Sequence, residues 1–273
     1  RHNGAPDRFI MCSGGMDSVA LAHYLLETKW TDDWSAWNKR PVVIYLDTTI
    51  GLSSQKLYVE MLSDKYNWDL WTLRTYNDFE QVTEEKKFYG ESQHSKIFNH
   101  LKGRQMDKLS TAAGNPHLYF GVRRAESQNR REVKRNRFRE GLGAWVHNSI
   151  CDWTDGRVLN YLESHDVPFN PNWEASHFTD CGCGATASRE ELIELEAEGY
   201  EVFAEKLRDL ESRIEGGKRD SWAWSSFSES ELRAKNALDD DAQQDLCGQM
   251  CGRNCSNRAK ALTRTDGGEG ADE

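Results

Sequence analysis

Ser13-Gly14-Gly15-Met16-Asp17-Ser18 is the first segment whose residue types suit an anion. It follows a short apolar run, residues 8–12, that reads as a buried strand. It leads into residues 17–27, where Val19, Leu21, Ala22, Leu25 and Leu26 recur at helical spacing. Glycines let the main chain approach a phosphate closely. The start of a helix adds unpaired N–H groups and the positive end of its dipole. Ser13 and Ser18 add hydroxyls, and Asp17 falls in the first turn, where it caps the helix or acts through a bound cation. The plainer reading is a Ser/Gly turn with an Asp cap. The strand before and the amphipathic helix after favour a nucleotide-phosphate loop. It is neither the Walker loop nor the GxGxxG dinucleotide loop.

A second anion-binding candidate is Gly121-Val122-Arg123-Arg124, after the apolar run 117–120. An arginine there can grip phosphate through two parallel hydrogen bonds, as lysine cannot. Arg130 lies two turns further on if a helix follows. Glu126 reads as a residue that orients an arginine, and Arg124, Arg131 and Arg135 as solvated. Residues 130–139 (RREVKRNRFR) carry six basic side chains. They fit either a nucleic-acid backbone or a charged helix face paired with carboxylates.

Stepping out to the elements, residues 42–46, 69–73, 117–120 and 145–147 read as strands, and 52–66 and 155–165 as helices. The alternation predicts an α/β fold with a parallel sheet. Residues 188–214 carry one long Glu-rich helical pattern, and 228–245 a further helix. Trp30, Trp34 and Trp37 read as a packed lid. The expected division is a nucleotide-binding domain over 1–187, a helical region with a cysteine cluster over 188–264 and an acidic, disordered tail over 265–273.

The 273 residues carry a net charge of −10, which disfavours nonspecific binding to nucleic acid. Mean hydropathy is −0.80, yet ten Trp, nine Tyr and ten Phe argue for a folded core. No apolar run approaches a membrane span. No signal peptide opens the sequence, and a cytoplasmic protein is expected. Of seven cysteines, Cys12 and Cys151 read as core. Cys181 and Cys183 form one group, and Cys247, Cys251 and Cys255 another. Such spacing suits metal ligation. Cys247, Cys251 and Cys255 with one of the first pair would supply four thiolates, for a 4Fe–4S cluster or, alternatively, Zn²⁺.

Taken in order along residues 8–187, these motifs resemble those of PP-loop enzymes, the adenine-nucleotide α-hydrolases, in their PAPS-reductase-like branch. The resemblance rests on SGGMDS, on Asp47-Thr48 with Thr49 where that branch has Gly, on residues 97–109 with Lys102, on FGVRRAESQNR and on residues 152–172. It implies a Rossmann-like fold with a C-terminal helical, cysteine-bearing extension. It implies that Ser13, Gly14, Gly15, Met16, Asp17, Ser18, Asp47, Gly121, Arg123 and Arg130 bind the nucleotide. Asp17, Lys102 and Arg123 would take part in catalysis, with Mg²⁺ on the phosphates. A homodimer is a common state in the branch.

Three functions follow as expectations. The first is cleavage of ATP between its α- and β-phosphates for sulfur transfer, with a nucleic acid or a protein as acceptor. The second is reduction of PAPS or APS, for which the expected E-C-G-x-H segment is absent from the sequence. The third is a nucleotide-binding subunit without catalysis.

Overall fold

A computed structural model describes residues 6–29, 40–87, 94–175, 181–183 and 189–213. The strands are β1 (Arg8–Met11), β2 (Val42–Asp47), β3 (Leu70–Arg74), β4 (His117–Phe120), β5 (Asn136–Arg139) and β6 (Ala144–His147). They form one sheet in the order β3-β2-β1-β4-β6-β5. All neighbours run parallel except β5, which pairs antiparallel with β6 at the edge. The sheet is therefore Rossmann-like, with one antiparallel edge strand.

Both faces of the central strands are covered, which is why they read as unbroken apolar runs. On one face Ile10, Val43, Tyr45 and Tyr119 pack against α1 (Met16–His23), α2 (Ser53–Tyr66) and α6 (Asp155–Ser164). On the other, Phe9, Met11, Val42, Ile44 and Leu118 meet Met106, Leu109 and Ala113. Those three belong to α5 (Arg104–Ala113), the continuation of α4 (His94–Phe98) through a π-helical turn, Asn99–Gly103. Cys12 and Cys151 are core residues, as expected. A third cluster closes over the end of β2. Ile50, Leu52, Phe79 and Val82 (the last two on α3, Phe79–Lys86) pack there with Ile97, Leu101, Cys183 and the inward faces of α8 (Arg189–Ala197) and α9 (Glu201–Arg213).

Two expectations are corrected. The helical pattern over 188–214 is two helices. Gly199, at φ 92°, lets the chain reverse. Its N–H donates to Glu196 O, and the Tyr200 N–H donates to Leu195 O at 2.9 Å. These two hydrogen bonds satisfy the last carbonyls and end α8. Residues 130–139 are not a helix face either. Arg124–Glu126 and Gln128–Arg130 are single 3₁₀ turns, and Asn136–Arg139 is β5. The lid tryptophans Trp30, Trp34 and Trp37, the helix expected over 228–245, the tail 265–273 and the cysteines Cys247, Cys251 and Cys255 lie outside the described residues. Among the described residues, no helix is long and apolar enough to cross a membrane.

Candidate functional site

The strand order reverses between β1 and β4, because β1 is followed on one side by β2 and on the other by β4. Open α/β sheets leave a crevice at such a point, beyond the carboxyl ends of the strands. Residues 13–18 leave β1 there, and Gly121 and Arg123 leave β4 beside them.

The loop's shape is set by its own hydroxyls and by side chains behind it. Ser18 Oγ donates to Gly15 O at 2.9 Å and accepts from the Ser13 N–H at 3.1 Å. The two hydroxyls are 3.2 Å apart. Gly14 adopts φ 79° and is buried against α2, where an added Cβ would lie 2.1 Å from Gln55 Nε2. The carbonyls of the loop are drawn inward. Gln55 Nε2 donates to Ser13 O at 2.7 Å, and Trp173 Nε1, on α7 (Asn172–Ala175), to Gly14 O at 2.9 Å. Gly15 is the N-cap of α1 and supplies no side-chain cap. The first turn thus presents N–H groups and the helix dipole toward the crevice.

Gln55 is itself held. Its Oε1 accepts from Asn170 Nδ2 at 2.6 Å and Asn172 Nδ2 at 3.1 Å. Asn172 Oδ1 accepts from Ser54 at 3.1 Å and from the Tyr200 hydroxyl, so the turn between α8 and α9 braces the loop. Sequence reasoning missed Gln55, Trp173, Asn170 and Asn172. One signal was available for Gln55: it lies on the stripe Gln55, Tyr58, Val59, Leu62, which the helix buries. A polar residue on a buried stripe has partners to satisfy.

Arg123, expected on the phosphates, is engaged here by two carboxylates. Its side chain has no exposure and lies beneath the loop, with Nε 2.8 Å from Asp17 Oδ2 and Nη2 2.7 Å from Asp155 Oδ1. Nη1 donates to Trp153 O at 3.3 Å. Burial by itself lowers the guanidinium pKa, but Asp17 and then Asp155 outweigh it and raise the net value. The guanidinium is held charged and sets the position of Asp17. Gly121 allows this closeness: an added Cβ would meet the Asp17 carbonyl and the Ser18 nitrogen at 2.8 Å.

Met16 lies within the loop itself, and the remaining expected residues are held by their own neighbours. Asp47 Oδ1 accepts from the Thr49 N–H at 2.9 Å, and Thr49 adopts φ 64°, the left-handed turn that glycine favours. Arg130 pairs with Glu126, whose Oε2 also accepts from the Arg123 N–H at 3.3 Å. Met16 is half-buried at the start of α1, and Lys102 is half-buried on the π-turn beside Leu101.

A Mg²⁺ on nucleotide phosphates takes one or two protein carboxylates. Asp17 (15% exposed) and Asp155 (29% exposed) flank the loop, each with one oxygen committed to Arg123, and this donor set fits. For a cluster the fit is incomplete. Cys183 is buried in the apolar cluster at the end of β2 and Cys181 packs against it. No group of three ligands occurs among the described residues.

Residues 7–188 match the sequence profile of the phosphoadenosine phosphosulfate reductase domain. The chain belongs to that family. The adenosine 5′-phosphosulfate reductase of Burkholderia cepacia is 32% identical over 81 residues, 29% of this chain and 32% of the relative. That match spans about a third of the relative's length. Two solved structures are similar in fold. The phosphoadenylyl-sulfate reductase of Candida auris, a phosphate complex, has a TM-score of 0.47 and 16% identity over 61% of this chain and 76% of its own. The FMN adenylyltransferase of Candida glabrata, with FMN and an ATP analogue, has a TM-score of 0.44 and 12% identity over 86% of this chain and 74% of its own.

Proposed function

We propose that the chain binds ATP on residues 13–18 and cleaves it between the α- and β-phosphates, adenylating an acceptor in a sulfur-transfer reaction. The observation that carries this reading is the inward tethering of the Ser13 and Gly14 carbonyls by Gln55 and Trp173, which leaves an uncapped helix start facing the crevice. An acceptor oxygen attacks the α-phosphorus. The bond to the bridging oxygen of the β-phosphate breaks, and pyrophosphate leaves with the electron pair. With water as acceptor the products are AMP and pyrophosphate, and the water's protons go to solvent.

In this reading the N–H groups of the first turn of α1 stabilise charge that develops on the phosphates. Asp17, fixed by Arg123, faces the phosphates and their Mg²⁺, which neutralises phosphate charge when bound. Lys102 supplies a further cation, and Asp47 borders the adenosine. Arg123 is a positioning residue. No step runs through a metal cluster.

Reduction of a sulfonucleotide is the second reading, favoured by the family match and by the Burkholderia cepacia relative. There a cysteine thiolate would attack the sulfur of PAPS or APS and expel the nucleotide. A second thiol would then release sulfite and leave a disulfide.

The test incubates the anaerobic protein with Mg²⁺ and ATP, and in parallel with PAPS or APS and thioredoxin. AMP and pyrophosphate from ATP, lost in Asp17→Asn, support the first reading. Sulfite from PAPS or APS replaces it with the second. Nucleotide bound without turnover of any substrate removes catalysis by this chain alone.

A further inference from the structure

The outermost strand carries charge and rings that the nucleotide site does not use. β5 (Asn136–Arg139) has one neighbour, β6, and all four of its residues are exposed. Register sets Phe138 opposite Trp145, so their rings share one face of the sheet. The ring centroids are 5.4 Å apart at 64°. Phe138 remains 41% exposed and Trp145 43%. Arg137 and Arg139 alternate to the other face of the same strand, opposite Val146 and Ala144.

The six basic residues of 130–139 divide into two groups. Arg130 pairs with Glu126 and Arg135 with Asp152, so their charge is neutralised. Arg131, Lys134, Arg137 and Arg139 are exposed and have no carboxylate partner among the described residues. Exposed Glu132 and Glu140 flank the group, yet a chain of net charge −10 still keeps four cations without an ion pair among the described residues here. Charge on an edge strand by itself is a common guard against edge-to-edge pairing. That guard needs no exposed aromatic pair beside it.

We propose that β5, the segment leading into it and Trp145 form a docking edge for single-stranded nucleic acid. Arg131, Lys134, Arg137 and Arg139 take backbone phosphates along the open edge, and unpaired bases stack on Phe138 and Trp145. Cations along a groove with aromatic platforms are the general means of holding a single strand without sequence preference. A second copy fits less well, because antiparallel pairing of two β5 edges sets arginines against arginines. The surface lies outside the nucleotide loop and stands whichever reaction that loop performs.

The test is fluorescence anisotropy of labelled oligothymidylate and oligouridylate with the full chain and no nucleotide. Affinity should fall with salt at a slope of about −3 in log K against log salt, from four contacts at about −0.7 each. Arg137→Gln with Arg139→Gln should flatten that slope by about 1.4. Phe138→Ala should weaken binding about fivefold or more. ATP affinity should stay unchanged in all of these variants, and thermal unfolding in the arginine double variant. Three results overturn the proposal: no binding of either oligonucleotide at low salt, equal binding by the variants, or equal or tighter binding of a duplex. A dimer in solution that the arginine variants strengthen would assign the edge to a second copy instead.

Discussion

Arg123 Nε lies 2.8 Å from Asp17 Oδ2, with the guanidinium wholly buried and its other end on Asp155. An acidic residue in the first turn of α1 is therefore fixed from below by a buried cation. Removing one partner of a buried ion pair leaves charge without compensation. Arg123→Leu should lower unfolding stability by about 3 kcal/mol. It should also weaken ATP binding at least tenfold, because Asp17 loses its anchor. Lys offers a point charge and cannot engage both carboxylates in the same fork, so Arg123→Lys should fall between. Adding Asp17→Asn and Asp155→Asn to Arg123→Leu should recover stability without recovering affinity. Urea unfolding and calorimetric titration measure the two quantities. Wild-type affinity in Arg123→Leu would refute the positioning role.

Thr49 stands where a glycine is easiest. Its φ of 64° is costly for a β-branched residue, by about 1–2 kcal/mol. Its hydroxyl offsets part of that by accepting from the Phe79 N–H at 2.8 Å, at the start of α3. Thr49→Gly relieves the backbone and loses an acceptor worth about 1 kcal/mol. It should lie within about 1 kcal/mol of the parent. Thr49→Val keeps the strain and loses the acceptor, and should cost about 1–3 kcal/mol. Equal stability of Thr49→Val and the parent would remove the hydroxyl from the account, and equal stability of the two variants would remove the backbone strain. Thermal unfolding of the three proteins decides it.

How far the sequence carried this site follows from what each residue shows locally. β1, β2 and β4 were legible because both of their faces are buried, and the turn from β1 into α1 because its glycine pair lies between an apolar strand and an amphipathic helix. Arg123 was read as a ligand clamp, since a cation after a strand shows its charge but not its depth. Its partner Asp155, far along the chain, reads as nothing more than a helix-start acid. β5 was missed because three of its four residues are polar and the fourth faces solvent. The end of α8 was marked by Gly199, but the surrounding Glu-rich pattern reads as helical through it.

His23 gives a pH test of the helix packing behind the loop. It is buried, its Nδ1 is 2.9 Å from the Tyr161 hydroxyl, and burial, with His165 and Lys65 nearby, lowers its pKa from 6.5 to about 4. The unfolded chain takes up this proton near pH 6.5, and the folded chain does so only near 4. Its stabilising contribution is therefore complete above pH 6.5. It is lost progressively as pH falls toward 4, by at most about 3 kcal/mol, and is constant below. His23→Gln should keep a polar partner for Tyr161 while removing the titration. The stability difference between parent and variant should slope with pH only between about 4 and 6.5. A flat difference there would show that His23 protonates as freely in the folded chain as in the unfolded one.

Gln55 tethers the loop from behind. Gln55 is fully buried. It donates to Ser13 O and accepts from Asn170 and Asn172, so its two ends hold different parts of the site. Gln55→Glu keeps the acceptor for the asparagines but sets a carboxylate oxygen against the Ser13 carbonyl. Gln55→Leu removes both functions and leaves two buried amides unsatisfied, at about 1–3 kcal/mol each. Both variants should therefore be less stable than the parent in urea. Both should lose ATP affinity, since neither can draw the Ser13 carbonyl inward. Gly156→Ala serves as the control: Gly156 lies in α6, where an added Cβ meets nothing within 4 Å. It should gain about 0.5–1 kcal/mol with ATP binding unchanged. Retained ATP affinity in Gln55→Leu would mean that the loop holds its shape through Ser13, Ser18 and Trp173 alone, and the tether would lose its place in the mechanism.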